Sequence, residues 1–208
     1  MRKKCYARRE RKFYPENEIT LPRVSKRHVA RALLLAQPRG ARHAFAMLPQ
    51  AERGSPLDRF RCFETADVDE ARYVVGRNFC SHRLERCSSR DRFDARQNRI
   101  AGNRVSLNYV RYGADVTIEP GELSDFYLIQ IPIAGRAEVT NGRHSVLSTP
   151  AVATILNPDW ETRMRWHSGC EKLLLQVDRS YLHEVAAEMS GLPVGPVRFR
   201  PRLDLEEP

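Results

Sequence analysis

Between residues 105 and 177 the sequence turns strand-like, with short runs rich in Val, Ile, Leu, Tyr and Phe following one another between turn residues. This pattern limits the possible folds more than any other feature of the sequence. Six segments carry it: 105–112, 115–118, 126–133, 137–140, 151–156 and 172–177. Turn-forming pairs separate them, namely Tyr112-Gly113, Pro120-Gly121, Ala134-Gly135, Asn141-Gly142 and Asn157-Pro158. Asn-Gly supplies two residues that tolerate positive φ, so Asn141-Gly142 between Val139 and Val146 predicts a tight hairpin. Six or more short strands so spaced predict an antiparallel sandwich or barrel.

Helical signals flank this block. Asp67, with Glu70 three residues later, makes a start resembling a capping box, and Val68, Ala71, Val75 and Phe79 follow on one face, predicting a helix over 68–79. Asp178 is a fair N-cap for a second helix over 179–190, with Leu182, Val185, Ala186 and Met189 on one face and Gly191 as its stop. Residues 80–104 are polar and arginine-rich and predict at most a short strand around 91–96. The expected order is helix, many strands, helix.

Charge divides the chain differently. Residues 1–59 hold 15 Lys and Arg against 5 Asp and Glu, which leaves 20 basic and 21 acidic residues for the remainder. The overall excess of +9 therefore belongs to the front, and the strand-rich part is close to neutral. Residues 1–56 also carry prolines at 15, 22, 38, 49 and 56. They read as a basic, largely disordered N-terminal arm with one short helix over 26–37. Such an arm is either a solvated tail or a nucleic-acid-binding segment. The five cysteines, Cys5, Cys62, Cys80, Cys87 and Cys170, are scattered and form no C-x-x-C pair, as expected for reduced thiols in a cytoplasmic protein. A membrane helix needs roughly 20 apolar residues, whereas the longest apolar stretch near the front runs only from 32 to 36.

No catalytic set stands out. Small β-barrels of cupin type that use a metal hold it through two His and a Glu on one strand and a His on a later one. Here His82, His144, His167 and His183 are isolated and there is no H-x-H, so neither metal nor other cofactor is expected. No G-x-S-x-G, G-x-x-x-x-G-K-[ST] or G-x-G-x-x-G is present. Asp115, Glu119, Glu122 and Asp125 surround a Pro-Gly turn and read as solvated turn carboxylates. A metal-free barrel still encloses a cavity whose lining decides what it binds. Strand alternation puts Tyr109 and Arg111 on one face and Tyr127 with Ile129 and Ile131 on one face, while Trp166 enters the last strands. The candidate ligand contacts are Tyr109, Arg111, Tyr127 and Trp166, with Arg111 facing an anionic group. The alternatives are core packing for the aromatic residues and a surface role for the arginine.

Three stretches, taken together, resemble a known family. They are Phe63-Glu64-Thr65-Ala66-Asp67-Val68-Asp69-Glu70-Ala71-Arg72; Val110-Arg111-Tyr112-Gly113-Ala114-Asp115-Val116 continuing to 126–135; and Asn157-Pro158-Asp159 with 169–178. The combination is similar to the N-terminal, ligand-binding-like domain of AraC-type transcriptional regulators, from about residue 59 to about residue 192. The resemblance implies a mainly β, cupin-like antiparallel barrel or jelly roll with flanking helices. It also implies a domain that senses a small-molecule effector or mediates homodimerisation. Members of the family grip DNA through a separate C-terminal domain with two helix-turn-helix units. Residues 193–208, with four prolines, are expected to be an exit linker. The expectation is therefore a basic arm (1–56), a barrel domain (57–192) and a linker (193–208), reaching DNA only through a domain the chain lacks, as a fragment or a stand-alone sensor. The expected role is non-enzymatic, with effector binding shifting a conformational or oligomeric population. Nucleic-acid binding through the arm and a divergent cupin enzyme are the two alternatives.

Overall fold

The computed structural model describes residues 24–25, 54–88, 90–191 and 195–206. Thirteen strands and two α-helices are found among them: β1 (Val24–Ser25), β2 (Arg61–Thr65), α1 (Val68–Asn78), β3 (Arg83–Arg86), β4 (Ala95–Ala101), β5 (Val105–Arg111), β6 (Val116–Gly121), β7 (Phe126–Ala134), β8 (Ala137–Asn141), β9 (His144–Ser148), β10 (Val152–Leu156), β11 (Thr162–Trp166), β12 (Glu171–Asp178), α2 (Arg179–Ser190) and β13 (Arg202–Glu206). The helix expected over 26–37, like nearly all of the basic arm, lies outside the described residues. The mainly β fold with antiparallel sheets and flanking helices is the one observed.

Each helix begins where its side-chain chemistry dictates. The Asp67 carboxylate accepts from the amides of Asp69 (2.8 Å) and Glu70 (2.9 Å), satisfying two donors that the first turn of α1 leaves open. Ala71 and Val75 are the residues α1 buries. Asp178 accepts from Tyr181 N at the start of α2, and Gly191, at φ 68°, ends it in the left-handed conformation. None of the residues of α2 is buried, so its apolar stripe is only half covered.

Two sheets face each other. The larger runs β1-β13-β10-β7-β12-β5-β4-β2 and the smaller β3-β6-β11-β8-β9, antiparallel throughout except where β1 joins β13. One continuous core joins them, with Val110, Leu128, Leu156 and Leu174 from the larger sheet against Leu84, Val116, Val139 and Trp166 from the smaller. The predicted Asn141-Gly142 hairpin connects β8 to β9. Gly142 has φ 59°, and a Cβ there would lie 3.0 Å from the Trp160 ring, so glycine is needed for backbone and space alike.

Two regions differ from the sequence reading. The strand expected near 91–96 is β4, over Ala95–Ala101, and β3 lies in the same polar stretch. Their alternation is masked because Gln97 turns inward and is stabilised by a side-chain chain rather than by apolar packing. Asn78 Nδ2 donates to Gln97 Oε1 (2.8 Å), Gln97 Nε2 to Asn108 Oδ1 (3.0 Å), Asn108 Nδ2 to Ser106 Oγ (3.1 Å) and Ser106 Oγ to Gln176 Oε1 (2.8 Å). The expected exit linker over 193–208 instead contains β13, paired antiparallel with β10 in the register Ala153↔Leu203. Leu203 and Leu205 share one strand face and are buried with Ala153 and Ile155, which draws this segment onto the domain.

Candidate ligand-binding site

Strand parity selects the side chains that meet between the sheets. On β7 the inward set is Phe126, Leu128 and Gln130, on β12 it is Lys172 and Leu174, and on β5 it is Val110, with Tyr112 just beyond. The smaller sheet answers with Ile118, Met164 and Trp166. Between them is a small, largely apolar cavity of about 50 Å³, walled by Leu128, Gln130, Met164, Trp166 and Leu174 among others.

Register gives the cavity two ends. Gln130 pairs with Leu174 and Pro132 with Lys172, so the amine reaches the interior beyond Gln130. Toward the opposite end stand Phe79, Cys80, Leu123 and Phe126. These four also line a more open, polar cleft of about 420 Å³ bounded by Arg99, Ser106, Glu122 and Gln176. The Phe79 and Phe126 rings, with centroids 6.3 Å apart, form part of the wall common to both spaces. The cleft and the cavity therefore lie on either side of this shared wall.

Behind Gln130 and Trp166, outside the cavity lining, a lysine is buried in the core. Lys172 is 0% exposed. Its Nζ donates to Gln130 Oε1 at 2.7 Å and lies 4.5 Å from the centroid of the Trp166 ring, an amide oxygen and a π-face that are its close partners among the described residues. Burial disfavours the ammonium form and brings the Lys172 pKa down to about 7. The indole Nε1 of Trp166 is buried without a hydrogen-bond partner. Gln130 bridges the two sheets, its Oε1 accepting from Lys172 and its Nε2 donating to Met164 Sδ (3.0 Å). His82, also in the cavity lining, donates from Nδ1 to Cys80 O (3.0 Å), while its Nε2 is buried and without a partner among the described residues; burial lowers its pKa. Burial also raises the Cys80 thiol and pushes Cys170 up to about 11, so neither is a ready thiolate nucleophile.

Of the four residues expected to touch ligand, Trp166 lines the chamber. The other three have the opposite strand parity. Tyr109 Oη donates to Glu171 Oε2 at 2.9 Å, and Arg111 pairs with Asp94 at 2.7 Å, with Glu64 at 3.9 Å. Tyr127 Oη donates to Val197 O and packs edge-on against Phe199. The chamber therefore does not bring the four together. Lys172, Gln130 and His82 were not singled out from the sequence. For the first two, the available signal was a polar residue at the same parity as Leu174 or Leu128 in an otherwise apolar strand.

The donor set does not fit a cupin metal. His82 faces the chamber, His144 stacks on Trp160, His167 lies between Asp115 and Glu138, and His183 abuts Tyr127. Among the described residues no three His, Cys, Asp or Glu side chains converge as metal ligands. Likewise, no helix among them is long and apolar enough to cross a membrane.

Comparison with known proteins places these features. A family model described as the AraC-binding-like domain matches residues 71–208. The probable thc operon regulatory protein of Rhodococcus erythropolis is 30% identical over 144 residues, covering 67% of this chain and 43% of that protein. The present chain thus spans less than half of that relative's length. Among solved structures, the AraC-like transcriptional activator CuxR aligns over 63% of this chain and 52% of its own, at 16% identity and a TM-score of 0.48. The cupin domain of Cnp3 from Schizosaccharomyces pombe aligns over 49% and 74%, at 11% identity and a TM-score of 0.36.

Proposed function

Because the chain belongs to the AraC-binding-like domain family, we propose that it is an effector-sensing domain of a transcriptional regulator, with the chamber between its sheets as the effector site. The observation that carries this reading is a small, largely apolar cavity between the two sheets, lined by Leu128, Gln130, Met164, Trp166 and Leu174 among others. Apolar side chains converging on such a space favour a small organic ligand that fills it. The role is binding without bond chemistry. A ligand in contact with both sheets favours the arrangement it fits best and shifts the population toward it.

Self-association belongs to the same proposal. Helix α2 buries none of its residues, and Met189 (84% exposed) and Tyr181 (37%) stand on its surface. A second copy packing on this helix gives the homodimer. Sedimentation equilibrium of Met189→Glu against the parent protein tests this point: a shift toward monomer supports it, and unchanged association rejects it.

The effector site is tested by screening small organic compounds for those that raise the thermal unfolding temperature of the full chain. Leu174→Phe places extra volume in the chamber wall. Compounds acting through the chamber lose at least tenfold in affinity for this variant, provided it unfolds cooperatively. Unchanged affinity would place the site elsewhere.

A further inference from the structure

The polar cleft beyond the Phe79–Phe126 wall has a floor whose bonding is incomplete. The hydrogen-bonded row that crosses the larger sheet runs in one direction, from Gln97 through Asn108 to Ser106, and ends where Ser106 Oγ donates to Gln176 Oε1 (2.8 Å). Ser106 and Gln176 line the cleft, and Gln176 Nε2 donates to no described residue. Arg99 lines it too. It shares the inward face of β4 with Gln97 and pairs with Asn108 in the register of β4 and β5. Its half-buried guanidinium has neither a hydrogen-bond acceptor nor a carboxylate partner among the described residues. An arginine always carries its charge and five N–H donors, so leaving it unpaired in a partly dry cleft is costly.

Carboxylates are nonetheless present in the same cleft. The turn after β6 brings Glu122 and Asp125 to it, both exposed. Ser124 fixes that turn: its N–H donates to Pro158 O (2.8 Å) and its carbonyl accepts from the Arg179 guanidinium (3.2 Å). Neither carboxylate lies within ion-pair distance of Arg99, whereas Arg104 and Asp178, the other charges of the lining, already meet at 3.9 Å. The cleft thus presents a cation, two carboxylates that do not reach it, and an aromatic wall.

We infer that this cleft is a second small-molecule site, separate from the chamber, for a zwitterionic amino acid with an apolar side chain, its carboxylate on Arg99 and Gln176 Nε2, its ammonium group toward Glu122 and Asp125, and its side chain against Phe79 and Phe126. A simple anion satisfies Arg99 but meets the carboxylates of the lining, and a simple cation leaves Arg99 unpaired. A molecule carrying both charges answers each group and brings no net charge into the cleft. The volume of about 420 Å³ is within the range of small-molecule sites.

The test titrates the full chain with L-leucine, with 4-methylpentanoate, which lacks the amino group, and with 3-methylbutylamine, which lacks the carboxylate. Calorimetry gives the affinities, and amide NMR locates the binding. The expected result is saturable binding of leucine, with shifts at 102–106 and 122–126, and binding of each half-molecule at least about tenfold weaker. Arg99→Gln, checked for folding by its NMR dispersion, is expected to weaken leucine by a similar factor. The double variant Glu122→Gln/Asp125→Asn, on an exposed turn, is expected to remove the preference for leucine over 4-methylpentanoate. Leu174 is outside the cleft lining, so Leu174→Phe is expected to bind leucine with unchanged affinity. Equal affinity for leucine and 4-methylpentanoate, leucine binding unchanged in Arg99→Gln, or no saturable binding of leucine would overturn the assignment and leave the chamber reading untouched. Loss of leucine binding in Leu174→Phe would move the amino acid into the chamber and overturn the cleft as a separate site.

Discussion

Lys172 and Trp166 meet across the interior of the sandwich, one from each sheet, with the ammonium nitrogen 4.5 Å from the centroid of the indole ring. The contact joins the centre of the larger sheet to the middle of the smaller and holds a titratable group in the driest part of the domain. A lysine whose pKa falls to about 7 is only partly charged in neutral solution, and the fold bears the cost of whatever charge remains.

Replacing Lys172 by methionine is therefore expected to stabilise the protein near neutral pH. The gain is about 1–2 kcal/mol, after allowing for Gln130 Oε1 losing its donor. Urea unfolding of the two proteins measures it.

The same comparison has a defined pH dependence. The folded pKa of Lys172 is depressed to about 7 while the unfolded chain keeps a value of about 10.4, so the unfolded state binds more protons between these limits. Below pH 7 both states are protonated and the penalty is fully present. As pH rises from about 7 toward 10 the penalty is relieved, and the advantage of Lys172→Met shrinks. Cys170 is coupled to Lys172, but its thiol, pushed up by burial to about 11, titrates above this range in the parent and rises further without Lys172. An advantage constant over this range would show that the lysine is not buried as described.

Asp67→Ala removes the acceptor for two amides of the first turn of α1 and is expected to cost about 1 kcal/mol. Because α1 carries Phe79 at its C-cap, the loss should also speed amide exchange at Phe79, whose N–H bonds to Val75 O. Thermal unfolding and hydrogen exchange report the two effects separately.

Tyr127→Phe removes the hydroxyl that donates to Val197 O and lies 3.2 Å from His183 Nε2. The expected cost is roughly 1 kcal/mol, together with faster exchange of the Leu205 amide, which bonds to Ala151 O in the segment that Tyr127 secures. Exchange that accelerates equally throughout the chain would indicate global destabilisation instead.

Asn157→Ala is expected to be the more damaging change. Asn157 Nδ2 donates to Phe199 O (2.8 Å) and to Asn141 Oδ1 (3.2 Å), and its Oδ1 accepts from Phe199 N (2.8 Å), all at a fully buried position. Losing these bonds while leaving buried partners unsatisfied should cost about 2–3 kcal/mol, read from the denaturant midpoint.

What the sequence disclosed follows from where its signals were clean. Asp67, Asp178 and Gly191 act locally, so both helices were legible at close to their observed ends. Asn141-Gly142 fixed a hairpin for the same reason. β4 was obscured because Gln97 and its partners replace apolar packing with a hydrogen-bonded row that looks solvent-facing in one dimension. β13 was hidden behind prolines, although Leu203 and Leu205 do alternate. For the site, Tyr109 and Tyr127 were attractive because they are aromatic, but β5 and β7 are buried on both faces, and alternation alone does not tell which face lines the chamber. Lys172 was passed over because an isolated lysine at the end of a strand ordinarily reaches water, and only the facing sheet closes that route.

The most direct measurement for the central claim is a crystal structure of the full chain with the tightest-binding compound from the screen. The account predicts electron density for the compound between the two sheets, in contact with Leu128, Leu174 and Trp166. Density confined to the outer face of the larger sheet, beside Tyr109 and Arg111, with the chamber unchanged, would contradict it.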